Sequence, residues 1–322
     1  MLWERICGEG DPNMATKFLR LGPFELVVLA NDRGLSIRGA ISCRLWGSFY
    51  NRLRRWRIGD TSPGKTQERT EQAVVDQTQE QKALIERVRT IQWYHSIDLD
   101  HQIVTPGLYD HRQILAQYCL PERMDGLRVL DVGTFDGFWA FEFEKRGAHE
   151  VVAMDIEQAN DLDLPPTMKD RMSPQELGRK HGKGFAVAHE IRKSQVRREV
   201  LNVYDLSAAR VGKFDIVHIG DILLHLMNPM KALQRVFEVT SGYALISECF
   251  SPDLDRLGCE RILQYCGGGT ECTWWSFSLS ALEQMIFDAG FQKVELVNRF
   301  KFGPQGKPGT RHHAVFRAFP RC

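Results

Sequence analysis

Short apolar runs alternate with amphipathic stretches from Leu127 to the C-terminus. Strand residues alternate between two faces, whereas a helical face repeats every three to four residues, so the runs predict strands and the stretches predict helices. The predicted strands are Arg128–Val132, Glu150–Asp155, Val200–Val203, Phe214–Ile219 and Tyr243–Ser247, then Lys293–Phe302 and His313–Ala318. The predicted helices are Phe138–Arg146, Pro229–Val239 and Leu279–Ala289. This order predicts an α/β fold with a mostly parallel sheet, helices on both faces and an antiparallel C-terminal edge.

The chain before Leu127 has a different pattern. Residues 1–70 are predicted to form a basic N-terminal extension, irregular and partly disordered, in which Phe24–Ala30 fits a strand or a short helix. Trp46–Arg57 interleaves aromatic residues with arginines, which fits a nucleic-acid or membrane-surface patch. A packed helix or a poorly ordered extension is favoured for that stretch. Residues 71–126 are predicted to be a helical lead-in and substrate-side segment, because apolar residues of Glu71–Ile91 recur at roughly helical spacing.

Composition and charge narrow the function classes only a little. The 322 residues are 43% hydrophobic and 26% charged, as in an ordinary soluble globular protein. The net charge of +1 does not indicate a nucleic-acid binder, and no apolar run approaches the roughly 20 residues of a membrane span. The eight cysteines include no CxxC pair, and Cys259, Cys266 and Cys272 have no zinc-site spacing. We therefore expect reduced thiols, no metal site and a cytoplasmic location.

The most informative motif joins the first predicted strand to the first predicted helix of the α/β region. It reads Asp131-Val132-Gly133-Thr134-Phe135-Asp136-Gly137, and the next strand ends in Asp155. Strand, glycine turn, helix, strand and acid form an arrangement that holds a nucleoside, because glycines let the backbone approach a ligand and the acid accepts ribose hydroxyls. A dinucleotide site would need Gly-x-Gly-x-x-Gly, which this turn lacks.

From about Trp93 onward the chain resembles class I methyltransferases that use S-adenosylmethionine. The loop Asp131–Gly137 matches the family's acid-x-Gly-x-Gly-x-Gly pattern, except that Phe135 replaces the middle glycine. The pattern tolerates this replacement if Phe135 has ordinary backbone angles and points away from the cofactor. The resemblance implies a Rossmann-like, S-adenosylmethionine-binding domain over residues 127–322. It also implies the cofactor contacts: Asp131, Gly133, Thr134, Phe135 and Gly137 in the loop, Asp155 and Ile156 at the ribose, Asn202 and Val203 at the adenine, and Gly220 at the sulfonium or amino group.

The segment after the fourth strand flanks the transferred methyl group in this family. The resemblance places Asp221 and His225 there, and one helical turn would set both side chains on one face. His225 could act as a general base on a substrate hydroxyl or position it, with a purely packing role as the alternative. The candidate residues for the acceptor pocket, each of which could instead be core, are Trp93, Tyr94, His95, Trp139, Trp274 and Trp275.

A narrower resemblance is to the branch related to tRNA wobble-uridine 5-oxyacetate (carboxymethyl) transferases. The segments that carry it are Trp93–Leu99, Val104–Gly107, Leu223–Pro229 and Trp274-Trp275. In those tRNA enzymes a lysine before the cofactor loop helps bind a carboxylated S-adenosylmethionine. No lysine lies between Thr90 and Arg128, although Arg112 or Arg123 could substitute, so ordinary S-adenosylmethionine is favoured.

Three functions follow as hypotheses. The favoured one is methyl transfer to a small-molecule acceptor, with an oxygen nucleophile among the options. The second is tRNA modification, for which Arg52–Arg57 and Arg192–Arg198 would supply a basic face. The third is a non-catalytic binding scaffold with a methyltransferase-like fold, which the departures at Phe135 and Asn202 leave open. The oligomeric state is not predicted.

Overall fold

The computed structural model describes residues 15–21, 24–31, 34–41, 79–258, 260–267, 272–306 and 309–321. The chain forms two compact units, Met1–Gln72 and Ala73–Cys322. In the first unit, strands β1 (Ala15–Leu21), β2 (Phe24–Asn31) and β3 (Gly34–Ile41) pair as an antiparallel meander.

The meander corrects the interpretation of this region as irregular. The apolar run Phe24–Ala30 lies in β2, so the strand alternative is confirmed there. The strands β1 and β3 were not predicted, because their own sequence pattern is weak. They depend on pairing with β2, which satisfies their backbone groups and which a local pattern does not reveal. The aromatic and arginine-rich run Trp46–Arg57 lies outside the described residues.

In the second unit, helices and strands alternate. The helices are α1 (Gln79–Arg89), α2 (Phe138–Lys145), α3 (Pro166–Lys169), α4 (Pro174–Leu177), α5 (Lys183–Arg192), α6 (Ala208–Val211), α7 (Pro229–Val239), α8 (Pro252–Asp255) and α9 (Leu279–Asp288). The strands are β4 (Arg128–Val132), β5 (Glu150–Asp155), β6 (Arg197–Val200), β7 (Phe214–Gly220), β8 (Thr240–Phe250), β9 (Leu263–Tyr265), β10 (Trp275–Phe277), β11 (Lys293–Phe302) and β12 (Arg311–Phe319). Within the described residues, no helix has the length and apolar character needed to cross a membrane.

Seven of these strands form one sheet in the order β11-β12-β8-β7-β4-β5-β6. The five strands from β8 to β6 run parallel, and β12 and β11 add antiparallel pairs at the other edge. This confirms the predicted mostly parallel sheet with an antiparallel C-terminal edge. Because β4 pairs with both β5 and β7, the chain order reverses at β4, and ligands of such sheets bind at the carboxyl ends of the strands flanking this point.

Both faces of the sheet are covered by helices, as predicted. Leu130 of β4 lies in one apolar core with Leu233 of α7 and Ile286 of α9. The preceding residue, Val129, lies in the core on the opposite face with Phe141 of α2. Burial on both faces makes the strand sequences almost continuously apolar, which is why their positions could be predicted.

The third strand of this region lies three residues earlier than predicted. The sequence pattern indicated Val200–Val203, whereas β6 is Arg197–Val200 and pairs with β5. As an edge strand, β6 carries mostly charged residues, so the apolar pattern selected the run that follows it. In that run Asn202 ends the extended chain, because its side-chain oxygen accepts a hydrogen bond from the Tyr204 backbone N–H at 3.0 Å.

Candidate active site

The loop between β4 and α2 turns sharply at two glycines. Gly133 and Gly137 have φ angles of +76° and +92°, in the left-handed region that favours glycine. The backbone N–H groups of Gly133 and Thr134 donate to the Met154 carbonyl at 2.9 and 3.1 Å, which ties the loop to the end of β5. A Cβ atom at Gly137 would lie 2.6 Å from the Phe141 ring, so this glycine is also required by packing.

Phe135, between these glycines, also has a left-handed backbone. Its φ angle is +51°, so the condition of ordinary backbone angles is not met. The backbone N–H of Phe135 donates to Asp155 Oδ2 at 2.7 Å, and this contact holds the residue in the strained conformation. The side chain is 39% exposed, and its ring lies 5.4 Å from that of Tyr94. The position therefore has the backbone that the family's glycine would adopt.

Replacing Phe135 with glycine and with alanine separates backbone strain from ring packing. Both variants lose the ring, but only Phe135→Gly relieves the left-handed strain. We expect Phe135→Gly to be more stable than Phe135→Ala by about 1 kcal/mol in urea unfolding. Equal stability of the two variants would show that the loop relaxes to another conformation when the ring is removed.

Asp155 ends β5 directly beside this loop. Its Oδ2 accepts from Phe135 N–H, and its Oδ1 accepts from Ile156 N–H at 2.7 Å. Burial raises the pKa of Asp155 to about 6, although these two backbone donors oppose the shift. Each carboxylate oxygen keeps a second lone pair, so the group can still accept two ligand hydroxyls.

Buried polar atoms without a partner gather toward the carboxyl ends of β4, β7 and β8. In the described part of the chain they include Asp131 Oδ2, Thr134 Oγ1, His218 Nε2 and Ser247 Oγ. Asp131 and His218 are each 1% exposed and pair with each other, with Asp131 Oδ1 and His218 Nδ1 2.8 Å apart. Since unsatisfied buried polar atoms are costly, these positions fit a ligand that brings its own donors and acceptors.

Gly220 lies beside two of these atoms at the end of β7. A Cβ atom there would be 2.9 Å from Ser247 Oγ and 3.0 Å from His218 Nε2. The missing side chain leaves the Gly220 backbone and both polar atoms open to one ligand. A zwitterionic methionine tail has the charged donor and acceptor groups that this arrangement can satisfy, so the site fits the implied cofactor.

The predicted adenine contacts lie beyond β6. The Asn202 side-chain oxygen already accepts from Tyr204 N–H, which leaves one lone pair on that oxygen for an adenine amino group. Val203 is 7% exposed and packs in the core, so it can contribute an apolar wall.

Residues 93–118, here called the cover segment, are held to the glycine loop by Asp136. Asp136 Oδ2 accepts from the backbone N–H groups of Tyr94 and His95 at 2.9 and 2.8 Å. Its Oδ1 contacts His95 Nδ1. Asp136 was not among the predicted site residues; the only available signal was an acid inside a glycine turn.

The cover segment is also held from the other side, by the connection between β11 and β12. Gln305 Nε2 donates to Ser96 Oγ and to the Gly107 carbonyl, both at 2.9 Å. The Gln305 backbone N–H donates to the Leu108 carbonyl at 2.8 Å. The segment is therefore attached at both ends of the site, which brings the predicted residues Tyr94 and His95 next to the cofactor loop.

Asp221 and His225 do not share a helical turn, contrary to the prediction. Asp221 has a φ of +51°, and the short 3-10 helix begins only at Leu223. The Asp221 carboxylate contacts His313 Nδ1 at 3.1 Å and Cys249 Sγ at 3.6 Å. His225 Nδ1 instead lies 3.0 Å from the Cys272 carbonyl.

The four predicted tryptophans are engaged in packing and backbone hydrogen bonds. Trp93 and Trp274 are 3% and 6% exposed, and their indole N–H groups donate to the carbonyls of Val88 and Asp163. Trp139, 6% exposed, packs its ring 4.8 Å from that of His218. Trp275 is half-buried and donates to the Met227 carbonyl at 3.3 Å. Three of the four are thus core side chains.

Several buried polar residues near Asp221 were missed by sequence reasoning. Glu248 is fully buried, and burial and the charge of Asp221 raise its pKa well above the usual range. His111 is 3% exposed, and burial lowers its pKa well below the ordinary value, so it is neutral at pH 7. Cys249 and His313 complete the set. Glu248, Cys249 and His313 lie in strands, and the only sequence signal for them was a polar residue inside an otherwise apolar run.

The arginines considered as substitutes for the carboxylate-binding lysine already have acidic partners. Arg112 pairs with Asp110 at 2.7 Å and also contacts Asp98. Arg123 pairs with Asp125 at 2.6 Å. Neither guanidinium is placed as a dedicated carboxylate receptor, so ordinary S-adenosylmethionine remains the better prediction.

The fold agrees with a comparison to known protein families. A family model described as a methyltransferase domain matches residues 109–296, which is more than half of the chain. No curated protein sequence matches the chain.

Three solved structures illustrate the similarity. The N-terminal domain of EvdMO1, crystallised with SAH, has 13% identity and a TM-score of 0.49, covering 77% of this chain and 99% of that one. The 1,6-didemethyltoxoflavin-N1-methyltransferase of Burkholderia thailandensis has 17% identity and a TM-score of 0.40, covering 65% and 74%. The magnesium protoporphyrin IX methyltransferase of Synechocystis PCC 6803 has 14% identity and a TM-score of 0.42, covering 85% and 96%. By its match to the family model, the chain belongs to the methyltransferase-domain family and is an S-adenosylmethionine-dependent methyltransferase.

Proposed function

We propose that the protein methylates a hydroxyl oxygen of a small molecule. The observation that carries this proposal is the cover segment, fixed by Asp136 on one side and Gln305 on the other. Burial raises the pKa of Tyr94 in this segment well above its usual range, and the charges of Asp221 and Asp136 add to the effect. Tyr94 lies beside the glycine loop, with its ring 5.4 Å from that of Phe135, and would there limit the size of an acceptor.

The residues that would hold the cofactor surround the end of β4. Asp155 would accept the ribose hydroxyls, and Asn202 with Val203 would contact the adenine. Gly133, Thr134 and Gly220 would face the methionine tail, together with Asp131. When bound, S-adenosylmethionine supplies an electrophilic methyl group on a leaving group that is already activated.

For this reaction the protein mainly has to align the acceptor with the methyl group and exclude water. The cover segment supplies the exclusion, since His95 and Ser96 are 5% and 3% exposed. Asp221 follows Gly220 directly, so its carboxylate would lie beside the proposed methyl position. It would accept a hydrogen bond from the acceptor hydroxyl and orient it.

The contacts that basic residues make within the domain favour a small acceptor over tRNA. In Arg192–Arg198, Arg197 pairs with Glu199 at 2.9 Å, and Arg198 lies 3.5 Å from Glu157. Arg192 donates to the Asp98 carbonyl. Guanidinium groups that are neutralised within the domain contribute little to binding several phosphates.

The proposal is tested with S-adenosylmethionine labelled in its methyl group. The purified protein is incubated with a pool of small hydroxylated metabolites and, separately, with total tRNA. We expect label in the small-molecule pool only. Label in tRNA that declines steeply with salt would replace the small acceptor by tRNA. If calorimetry shows no binding of S-adenosylhomocysteine, the cofactor residues are misassigned.

Cofactor affinity is expected to fall as the pH drops through about 6, because burial sets the pKa of Asp155 there. Above that pH the carboxylate is ionised and accepts both ribose hydroxyls. Below it, the protonated form loses acceptor strength, so binding of S-adenosylhomocysteine should weaken by about tenfold between pH 7 and pH 5. Calorimetry across this range measures it, and Asp155→Asn should show no such dependence.

His225→Ala is expected to lower turnover by about tenfold to a hundredfold while leaving affinity for S-adenosylhomocysteine nearly unchanged, because a base or orienting group acts on the acceptor. His189→Ala is the matched control, since His189 Nε2 also lies 3.0 Å from a backbone carbonyl, that of Val196. Unchanged turnover in His225→Ala would show that His225 has only a packing role.

A further inference from the structure

Three side chains from three neighbouring strands meet beside the proposed methyl position. Asp221 follows β7, Cys249 lies in β8 and His313 lies in β12. The strands β8 and β12 pair with Cys249 directly opposite His313, and the Asp221 backbone N–H donates to the Ser247 carbonyl in β8 at 2.9 Å. The sheet register therefore fixes the three residues next to one another.

The separations of their ligand atoms match a tetrahedral metal site. Asp221 Oδ1 lies 3.1 Å from His313 Nδ1 and 3.6 Å from Cys249 Sγ, and Cys249 Sγ lies 3.7 Å from His313 Nδ1. Zinc bonds of about 2.0–2.3 Å at tetrahedral angles place ligand atoms roughly 3.3–3.6 Å apart. A cation could therefore bind all three atoms after shifts of a few tenths of an ångström.

We propose that Asp221, Cys249 and His313 bind a zinc-class divalent cation. A thiolate, an imidazole and a carboxylate together favour a borderline-soft ion such as zinc or cobalt over magnesium or calcium, which prefer oxygen ligands only. Three protein ligands leave one tetrahedral position open, as in catalytic rather than structural zinc sites.

The surroundings of the three residues orient them for this role. His313, in addition to its contact with Asp221, hydrogen-bonds the backbone of Phe302, and its ring stacks on Phe300 with centroids 5.4 Å apart. A second hydrogen bond of this kind fixes the ring of metal-binding histidines.

A further buried polar group lies near these residues. Tyr118 is fully buried, and its hydroxyl has no hydrogen-bond partner among the described residues. Its ring lies 5.2 Å from that of Phe300, which in turn stacks on His313. An unpaired polar group therefore lies close to the cluster.

A cation held by these three residues would keep one position for a further ligand, next to Gly220, which Asp221 directly follows. If the proposed function holds, the acceptor's hydroxyl oxygen would occupy it, and the cation would lower the pKa of that hydroxyl. This consequence rests on the proposed function, whereas cation binding itself does not.

The test is binding of the ion to the full chain. The protein is stripped with a chelator and titrated with zinc by calorimetry, and cobalt is added separately to record thiolate-to-cobalt charge-transfer absorption. We expect one zinc per chain and a charge-transfer band. Cys249→Ser and His313→Ala should each weaken zinc binding by at least about 100-fold, and Cys249→Ser should remove the band.

Cys266→Ser is the matched control, because Cys266 is an exposed, unpaired cysteine outside the cluster. It should bind zinc as the wild type does. The proposal is overturned if Cys249→Ser keeps stoichiometric zinc binding. It is also overturned if the folded wild-type protein binds no zinc, because the three residues then form only a hydrogen-bonded cluster. Circular dichroism confirms folding of each variant. Binding of S-adenosylhomocysteine, measured in parallel, separates failure of this inference from failure of the proposed function.

Discussion

Asp155→Ala is expected to weaken binding of S-adenosylhomocysteine by at least about 100-fold while the protein stays folded. The carboxylate is placed to accept two ribose hydroxyls, and each hydrogen bond to a charged group contributes about 1.5–3 kcal/mol. Its carboxylate accepts hydrogen bonds from the N–H groups of Phe135 and Ile156 and is not part of the apolar core, so its removal changes the loop at Phe135 and leaves the core intact. Calorimetry measures the affinity, and circular dichroism with thermal unfolding monitors the fold.

The isosteric variant Asp155→Asn adds a stability signature. Burial raises the pKa of Asp155 to about 6, above the unfolded value of about 4, so its ionised form destabilises the fold at neutral pH by on the order of 3 kcal/mol. This penalty appears as the pH rises from about 4 through 6 and is absent below that range. The amide of Asp155→Asn can accept from only one of the two N–H groups, but it does not ionise, so its stability relative to wild type should rise between pH 4.5 and pH 7.5. Wild-type affinity in either variant would remove Asp155 from the ribose site.

Gly107→Ala is expected to destabilise the second unit by at least about 3 kcal/mol. A Cβ atom at Gly107 would lie 2.1 Å from the His95 carbonyl carbon and 2.2 Å from the Ser96 backbone nitrogen. Both neighbours are backbone atoms and cannot move aside as a side-chain tip would. The cover segment must therefore shift away from the loop that holds it through Asp136, which would also expose the core residue Trp93.

Urea unfolding measures the loss of stability, and limited proteolysis reports whether cleavage moves into residues 93–118. Gly126→Ala is the matched control: Gly126 has a φ of +76°, but nothing lies within 4 Å of an added Cβ. It should cost only about 1–2 kcal/mol of left-handed strain. If Gly107→Ala is as stable as this control, Gly107 is not packed against the His95 and Ser96 backbone as described.

Much of the sheet could be predicted from the sequence because its central strands are buried on both faces. The strands β4 and β5 were predicted with their observed bounds, since Val129 and Leu130 enter opposite cores and leave a continuous apolar run. The edge strand β6 was misplaced, because its residues Arg197–Val200 are mostly charged. Strands whose formation depends on a partner carry too little local pattern to be found this way.

The residues proposed to bind the cofactor could be predicted from the sequence for a similar reason. Gly133, Gly137 and Asp155 each lie within a few residues of a strand end, so a local motif identifies them. The left-handed backbone of Phe135 could not be predicted from the sequence, because it depends on the hydrogen bond that its N–H donates to Asp155 across the loop.

The sequence by itself determined the fold class and located the glycine loop and the proposed ribose acid, because these depend on residues that are close together along the chain. Only the tertiary structure decided which residues meet on the proposed acceptor side. The contact of Asp221 with Cys249 and His313 joins positions 28 and 92 residues apart. The physical reason is register: the pairing of β7, β8 and β12 sets which side chains meet, and a shift by one residue would turn each to the opposite face.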